Sequence, residues 1–108
     1  MAMVHTLFEE GLVDPGPAER LVKDADLLRL AALAFTPDAV SAHTGIAADD
    51  IRTLARPLAG TRKAALYTHM GPSTQTFGGV APWLAYCPNL LTGQLTLPGG
   101  TPFTHPAP

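Results

Sequence analysis

Apolar residues recur at helical spacing along most of this chain. Val4, Leu7 and Phe8 lie at positions i, i+3 and i+4, which predicts a short amphipathic helix over the first ten residues, ending near Gly11. A turn rich in proline and glycine follows, and a second helix is predicted over residues 18–34. The predicted buried stripe of that second helix consists of Leu21, Val22, Ala25, Leu28 and Ala32.

Two further helices are predicted from capping residues as well as from spacing. Thr36, followed by a proline, is typical of a helix N-cap, and Gly45 is typical of the residue that ends a helix. The fourth helix is predicted to begin near Ala48. Because Pro57 lacks a backbone donor and crowds the preceding turn, we expect this helix to stop or kink just before it.

The second half of the chain predicts a strand, a loop and a helix. Residues 64–68 are a short apolar run without alternation, as in a strand that is covered on both faces. A polar, glycine-bearing loop then runs from Tyr67 to Gly79, and the last helix is predicted over about 77–92, kinked at Pro88. About five helices and one short strand therefore predict a helix-rich α/β fold.

Composition narrows the class of protein. Ten glycines and eleven prolines in 108 residues imply short or broken elements, and we expect residues 98–108 to be an extended or disordered tail. A net charge of −2 with 15% charged residues argues against a nucleic-acid surface. One cysteine excludes an internal disulfide. With neither a signal peptide nor a membrane-spanning run in the sequence, we expect a cytoplasmic location.

Candidate chemistry outside the loop is weak. Residues 39–51 imitate a helix-turn-helix unit, but Asp49 and Asp50 stand at the end that would approach the bases, so a packed helical hairpin is favoured. None of the four histidines is spaced from another as metal ligands usually are. Cys87 lies on an apolar helical face and is expected to be a core residue, and Ser73 lacks the context of a hydrolase nucleophile.

The loop itself admits two interpretations. Gly71, Ser73, Thr74 and Gln75 supply hydrogen-bond donors and a flexible backbone, which suit a polar or anionic ligand at a helix start. The same residues would equally serve an ordinary strand-to-helix connection. These physical arguments favour the ordinary connection.

Five short motifs in a fixed order nevertheless resemble a segment of the molybdopterin-dependent oxidoreductases, the superfamily that contains formate dehydrogenases, nitrate reductases and dimethyl sulfoxide reductase. The matching stretches are residues 6–14, 35–40, 44–55, 71–78 and 89–94, the last followed by the Pro-Gly-Gly at 98–100. The resemblance implies that residues 1–97 form part of a Rossmann-like domain. It also implies that Gly71, Thr74 and Gln75 contact a molybdenum bis(pterin guanine dinucleotide) cofactor.

The departures from the family bear on activity. The chain lacks the cysteine cluster of the iron–sulfur centre and the segment that ligates molybdenum, and Gln94 stands where asparagine is usual. We therefore expect a fragment without catalytic residues or metal ligands, inactive alone, whose partner is the remainder of an oxidoreductase chain. The alternative is a small helical interaction module that docks on a partner chain, and DNA binding by the helix-turn-helix-like unit ranks third. We expect no membrane or nucleic-acid partner.

Overall fold

A computed structural model describes residues 1–95 and 97–101 of the chain. The helices, in order, are α1 (Ala2–Glu9), a 3₁₀ helix (Gly16–Leu21), α2 (Ala25–Ala32), α3 (Pro37–Thr44), α4 (Ala48–Gly60), α5 (Met70–Ser73) and α6 (Val80–Leu91). In these residues there is no β-ladder, only an isolated bridge between Leu95 and Thr101. The prediction of an α/β, partly Rossmann-like fold was therefore wrong, because the described part of the chain is helical.

The predicted strand at 64–68 has no partner strand among the described residues. Its backbone instead bonds to side chains: Ala64 N–H donates to the Gln94 amide oxygen at 3.0 Å, and Leu66 N–H donates to the Asn89 amide oxygen at 2.7 Å. The prediction that this run is covered on both faces was also wrong, since Ala65 and Tyr67 are exposed. Here side-chain amides occupy the positions that a neighbouring strand would take in a sheet.

The first and third helices confirm their predictions. α1 ends at Glu9, two residues before Gly11. At the start of α3 the Thr36 hydroxyl accepts a hydrogen bond from Ala39 N–H at 3.1 Å, and Gly45 ends the helix with a φ of 70°. Both ends are set by local chemistry, so the sequence sufficed to locate them.

The second predicted helix is broken into two. Asp24 adopts a left-handed conformation with φ of 57°, which separates the 3₁₀ helix from α2. The residues predicted to form one buried stripe are therefore not all buried: Ala32 is buried, but Leu21 is 54% exposed. Aspartate is among the few residues that tolerate this conformation, so the break can form at Asp24. The spacing of apolar residues carries no information about it.

Two helices contain a proline inside their bounds, Pro57 in α4 and Pro88 in α6. α4 continues past Pro57 to Gly60, so the helix does not stop there, and the alternative of a kink stays a prediction, as does the kink at Pro88. Pro57 lies in the last turn, where it removes only one donor near the helix end. α6 likewise runs through Pro88, whose carbonyl accepts bonds from Thr92 N–H at 3.0 Å and from the Thr92 hydroxyl at 2.7 Å.

The core forms around α1, which packs against α2, α3, α4 and α6. Its central residues, Val4 and Leu7, are fully buried and cluster with Ala32, Cys87 and Leu91. α6 therefore has one face in the core and the other beside segment 64–68. Over residues 1–95 and 97–101, no helix combines the length and apolar character that crossing a bilayer requires.

Candidate functional site

A cleft lies between residues 65–70 and the outer face of α6. This cleft has a volume of about 710 Å³, within the usual range for ligand pockets. Its lining consists of Ala65, Leu66, Tyr67, Thr68, His69, Met70, Ser73, Pro82, Ala85, Tyr86, Gly100 and Thr101. None of these side chains is a carboxylate, an ammonium or a guanidinium. The polar groups that line the cleft are hydroxyls and one imidazole, which suit a neutral or widely delocalised ligand.

Asn89 on α6 anchors one wall of the cleft. Its side chain is fully buried, and its amide oxygen accepts from Leu66 N–H at 2.7 Å while its NH₂ group donates to Leu66 C=O at 2.8 Å. The same NH₂ group donates to Ala85 C=O at 3.1 Å. The amide thus pairs with Leu66 as a backbone peptide would in a sheet, and it satisfies polar groups that burial would otherwise leave without partners.

Gln94 provides a second anchor for the same segment. Its amide oxygen accepts from Ala64 N–H at 3.0 Å, and its NH₂ group donates to Thr61 C=O at 2.8 Å. Backbone contacts then bring the turn at 97–101 against it, since Thr101 N–H donates to Gln94 C=O at 2.9 Å. A Cβ on Gly100 would lie 2.1 Å from that carbonyl oxygen, so the approach requires glycine.

The predicted cofactor loop folds tightly on itself next to the cleft. The Thr74 hydroxyl donates to Gly71 C=O at 2.9 Å, and Gly78 N–H donates to Gln75 C=O at 2.8 Å. A Cβ on Gly78 would lie 2.0 Å from a backbone oxygen within the loop. Phe77 has a φ of 66°, a conformation that costs energy for a bulky residue.

Of the three predicted contact residues, Gly71 lies within α5 and Thr74 and Gln75 follow directly after that helix, and all three are exposed. Gly71, Thr74 and Gln75 do not line the cleft, whereas Ser73 from the same loop does. An ideal Cβ on Gly71 would meet no atom within 4 Å, so its backbone is open to close approach by another group. The loop therefore forms a rim beside the cleft and leaves the lining to its neighbours.

Sequence reasoning missed the anchoring amides. Asn89 and Gln94 were seen only as parts of a motif, without a structural role. A signal was present, because an asparagine inside the apolar pattern of α6 must find buried hydrogen-bond partners. The sequence did not say which backbone groups those partners would be.

The other candidate groups have structural surroundings. Cys87 is buried in the core, its thiol donates to Trp83 C=O at 3.3 Å, and burial raises its pKa. Arg52 on α4 forms ion pairs with Asp38 and Asp49, the latter at 3.1 Å, so these charges are engaged with one another at the helix-turn-helix-like unit. Among the described residues, no three histidine, cysteine or acidic side chains cluster as metal ligands.

Comparison with known proteins gives two relatives and no family. No family model matches the chain, and no solved structure matches it. It is 35% identical over 112 residues to a nitrate reductase of Symbiobacterium thermophilum, a match that covers 95% of the chain. It is 28% identical over 105 residues to the probable oxidoreductase YoaE of Bacillus subtilis, a match that covers 97%. The chain spans 15% of the length of each relative, so it corresponds, over nearly all of its own length, to a segment of larger oxidoreductases.

Proposed function

We propose that this chain forms one wall of a molybdopterin cofactor site in an oxidoreductase, and that it does not catalyse a reaction alone. The observation that carries the proposal is the similarity to a nitrate reductase across 95% of the chain, together with the exposed loop that borders a neutral cleft. The rest of the oxidoreductase would supply the metal ligand and most of the cofactor contacts.

The loop fits such a cofactor in its chemistry. Gly71 has open space beside its backbone, and the exposed Gln75 side chain makes no hydrogen bond within the described residues. Thr74 donates its proton to Gly71 C=O but keeps an oxygen that can accept. Pterin and pyrophosphate groups can be held by such neutral donors and acceptors without a countercharge.

The cofactor, when bound, supplies electron transfer coupled to transfer of an oxygen atom or a hydride equivalent at molybdenum. The residues of this chain have a different task. Gly71 permits close approach of the ligand, Gln75 offers an amide that can orient it, and the buried Asn89 holds the cleft wall in position behind the loop. These are binding and positioning roles, and no proton transfer is assigned to them.

The test measures binding of molybdopterin guanine dinucleotide to the purified chain by thermal shift. We expect stabilisation of the chain by the cofactor, weakened at least about tenfold in affinity by Gln75→Ala together with Gly71→Val. The matched control is Gly79→Ala, since a Cβ at this neighbouring glycine also meets no atom within 4 Å. Absence of stabilisation, or an equal effect of all the variants, would refute the binding role. Turnover of formate or nitrate by the reconstituted chain would refute its inactivity.

A second candidate function is an interaction module, and a specific surface favours it. Leu27 and Leu30 on α2 and Leu33 directly after it are between 55% and 63% exposed, and Trp83 on α6 is 53% exposed. A contiguous patch of such apolar groups is typical of a surface that another polypeptide covers. Stabilisation of the chain by a protein partner, without any effect of the cofactor, would favour this second function.

A further inference from the structure

The imidazole of His5, on the buried face of α1, makes one hydrogen bond within residues 1–95 and 97–101. Its side chain is 10% exposed, and its Nδ1 atom lies 3.0 Å from the carbonyl oxygen of Ala32, at the end of α2. Because a carbonyl oxygen only accepts, the proton of the neutral imidazole must be on Nδ1. The lone pair of the neutral ring is therefore on Nε2.

A carboxylate faces this lone pair. Nε2 is buried and has no hydrogen-bond partner in the described part of the chain, and Glu9 Oε2, one turn further along α1, lies 3.5 Å from it. No lysine or arginine of the described residues forms an ion pair with Glu9. Two electron-rich atoms therefore face each other, one of them buried, and a cation between them would remove the repulsion.

The geometry around these two atoms fits a zinc ion. In protein sites zinc lies about 2.0–2.2 Å from histidine nitrogen and carboxylate oxygen, so two such ligands at a tetrahedral angle are about 3.4 Å apart. The separation of Nε2 and Oε2 is 3.5 Å. A histidine that binds a metal also donates its other ring N–H to a carbonyl or carboxylate in most sites, which fixes the orientation of the ring. The bond from Nδ1 to Ala32 C=O is of this kind.

We propose that His5 and Glu9 bind a zinc ion, with water at the remaining coordination positions. The Glu9 side chain is 57% exposed, so water can reach the metal from that side. Since no three candidate ligand side chains cluster within the described residues, this is a two-residue site of modest affinity, and it departs from the expectation of a chain without metal ligands. Bound zinc holds His5 where it bonds to α2 and so stabilises the contact between α1 and α2. This inference goes beyond the proposed function and does not rest on it.

Titration calorimetry of the 108-residue chain with zinc chloride at about pH 7.5 tests the site. We expect one saturable site for zinc and no binding of magnesium, which prefers oxygen ligands. At about 1 mM zinc, the Tm should rise by at least about 4 °C, because a ligand that binds only the folded chain stabilises it.

Two pairs of variants separate this site from zinc binding elsewhere on the chain. Glu9→Gln removes the charge and keeps the shape, and Glu19→Gln makes the same change at an exposed glutamate. His5→Asn removes Nε2 but keeps an N–H group near the position of Nδ1, whereas His43→Asn changes an exposed histidine. We expect each variant of the site to bind zinc at least about tenfold more weakly, and each control variant to change the affinity by less than about threefold.

Nitrogen NMR of the histidine rings gives a readout that a change in stability does not move. Zinc should shift the Nε2 signal of His5, while Nδ1 keeps its proton and its bond to Ala32.

Three results would overturn the proposal. The first is that zinc does not bind in a saturable manner. The second is that the Glu9→Gln and Glu19→Gln variants bind zinc equally well. The third is a proton on Nε2 at neutral pH that zinc does not displace, because a proton would then occupy the place of the metal. Since the Glu9 side chain is more than half exposed, Glu9→Gln keeps the test decisive even if His5→Asn does not fold.

Discussion

Replacing Asn89 by alanine should unfold the cleft wall before it affects the rest of the protein. The side chain is fully buried and makes three hydrogen bonds, two to Leu66 and one to Ala85. Each is worth about 1 kcal/mol net, so their loss should lower the free energy of unfolding by about 3 kcal/mol. For a domain of this size that corresponds to a fall of roughly 12 °C or more in Tm.

The assay combines urea unfolding with amide hydrogen exchange. Asn89→Ala should lower the urea midpoint and remove protection against exchange from the Leu66 amide. The core amides of α1 should lose only as much protection as the fall in the global free energy of unfolding accounts for. Asn89→Asp should be at least as damaging, because its second oxygen would face two carbonyl oxygens in a buried position. Tyr86→Ala is the control on the same helix, since Tyr86 is 55% exposed.

Two results would refute this reasoning. One is an Asn89→Ala variant whose free energy of unfolding stays within about 1 kcal/mol of the parent's, since that would match the loss of one hydrogen bond and not of three. The other is continued protection of the Leu66 amide, which would mean that another group satisfies the segment.

The remaining predictions concern the loop, an ion pair and the thiol. Gly78→Ala should cost about 1–3 kcal/mol, because its Cβ would collide with a loop carbonyl, whereas Gly79→Ala has open space and should cost little; equal Tm values for the two variants would contradict the loop geometry. Arg56 donates hydrogen bonds to both Glu10 oxygens at 2.9 Å, which lowers the pKa of that carboxyl below its usual range. The stabilisation is therefore present above the ordinary glutamate pKa and is lost as pH falls through the lowered folded pKa. In Glu10→Gln, the free energy of unfolding should depend less on pH in that window. An unchanged pH dependence would argue against the ion pair. Burial raises the pKa of Cys87, so its thiol should react with Ellman's reagent slowly in the native chain and rapidly in urea; fast native reaction would show that the thiol is exposed.

The helix ends show how far local chemistry carries a prediction. Thr36 and Gly45 bound α3 as their residue types predict, because a cap is formed between residues that are close in sequence. The break at Asp24 and the continuation past Pro57 were missed. Both depend on small energies that the surrounding packing can outweigh, so spacing rules give the wrong helix length there.

The candidate site divides in the same way. The sequence singled out the loop with Gly71, Thr74 and Gln75, and that part of the site remains a prediction about cofactor binding. The adjoining cleft could not be predicted, because its walls come from residues 65–70, from α6 and from the turn near Gly100, which are distant in sequence. Asn89, which joins α6 to Leu66, was not predicted to have this role because it lies within the apolar pattern of α6.

What the sequence determined by itself was therefore a set of local elements and a resemblance: short helices with their caps, one short apolar run at residues 64–68 and an ordered series of oxidoreductase motifs. Only the tertiary structure decided which groups form hydrogen bonds with the backbone of that run. In place of a neighbouring strand, the amides of Asn89 and Gln94 form hydrogen bonds with the backbone of Ala64 and Leu66, and the part of the chain that the structure describes is helical. The physical reason is that a buried backbone must be hydrogen-bonded, but any suitably placed donor or acceptor will serve, and its identity is set by contacts between residues far apart in the chain.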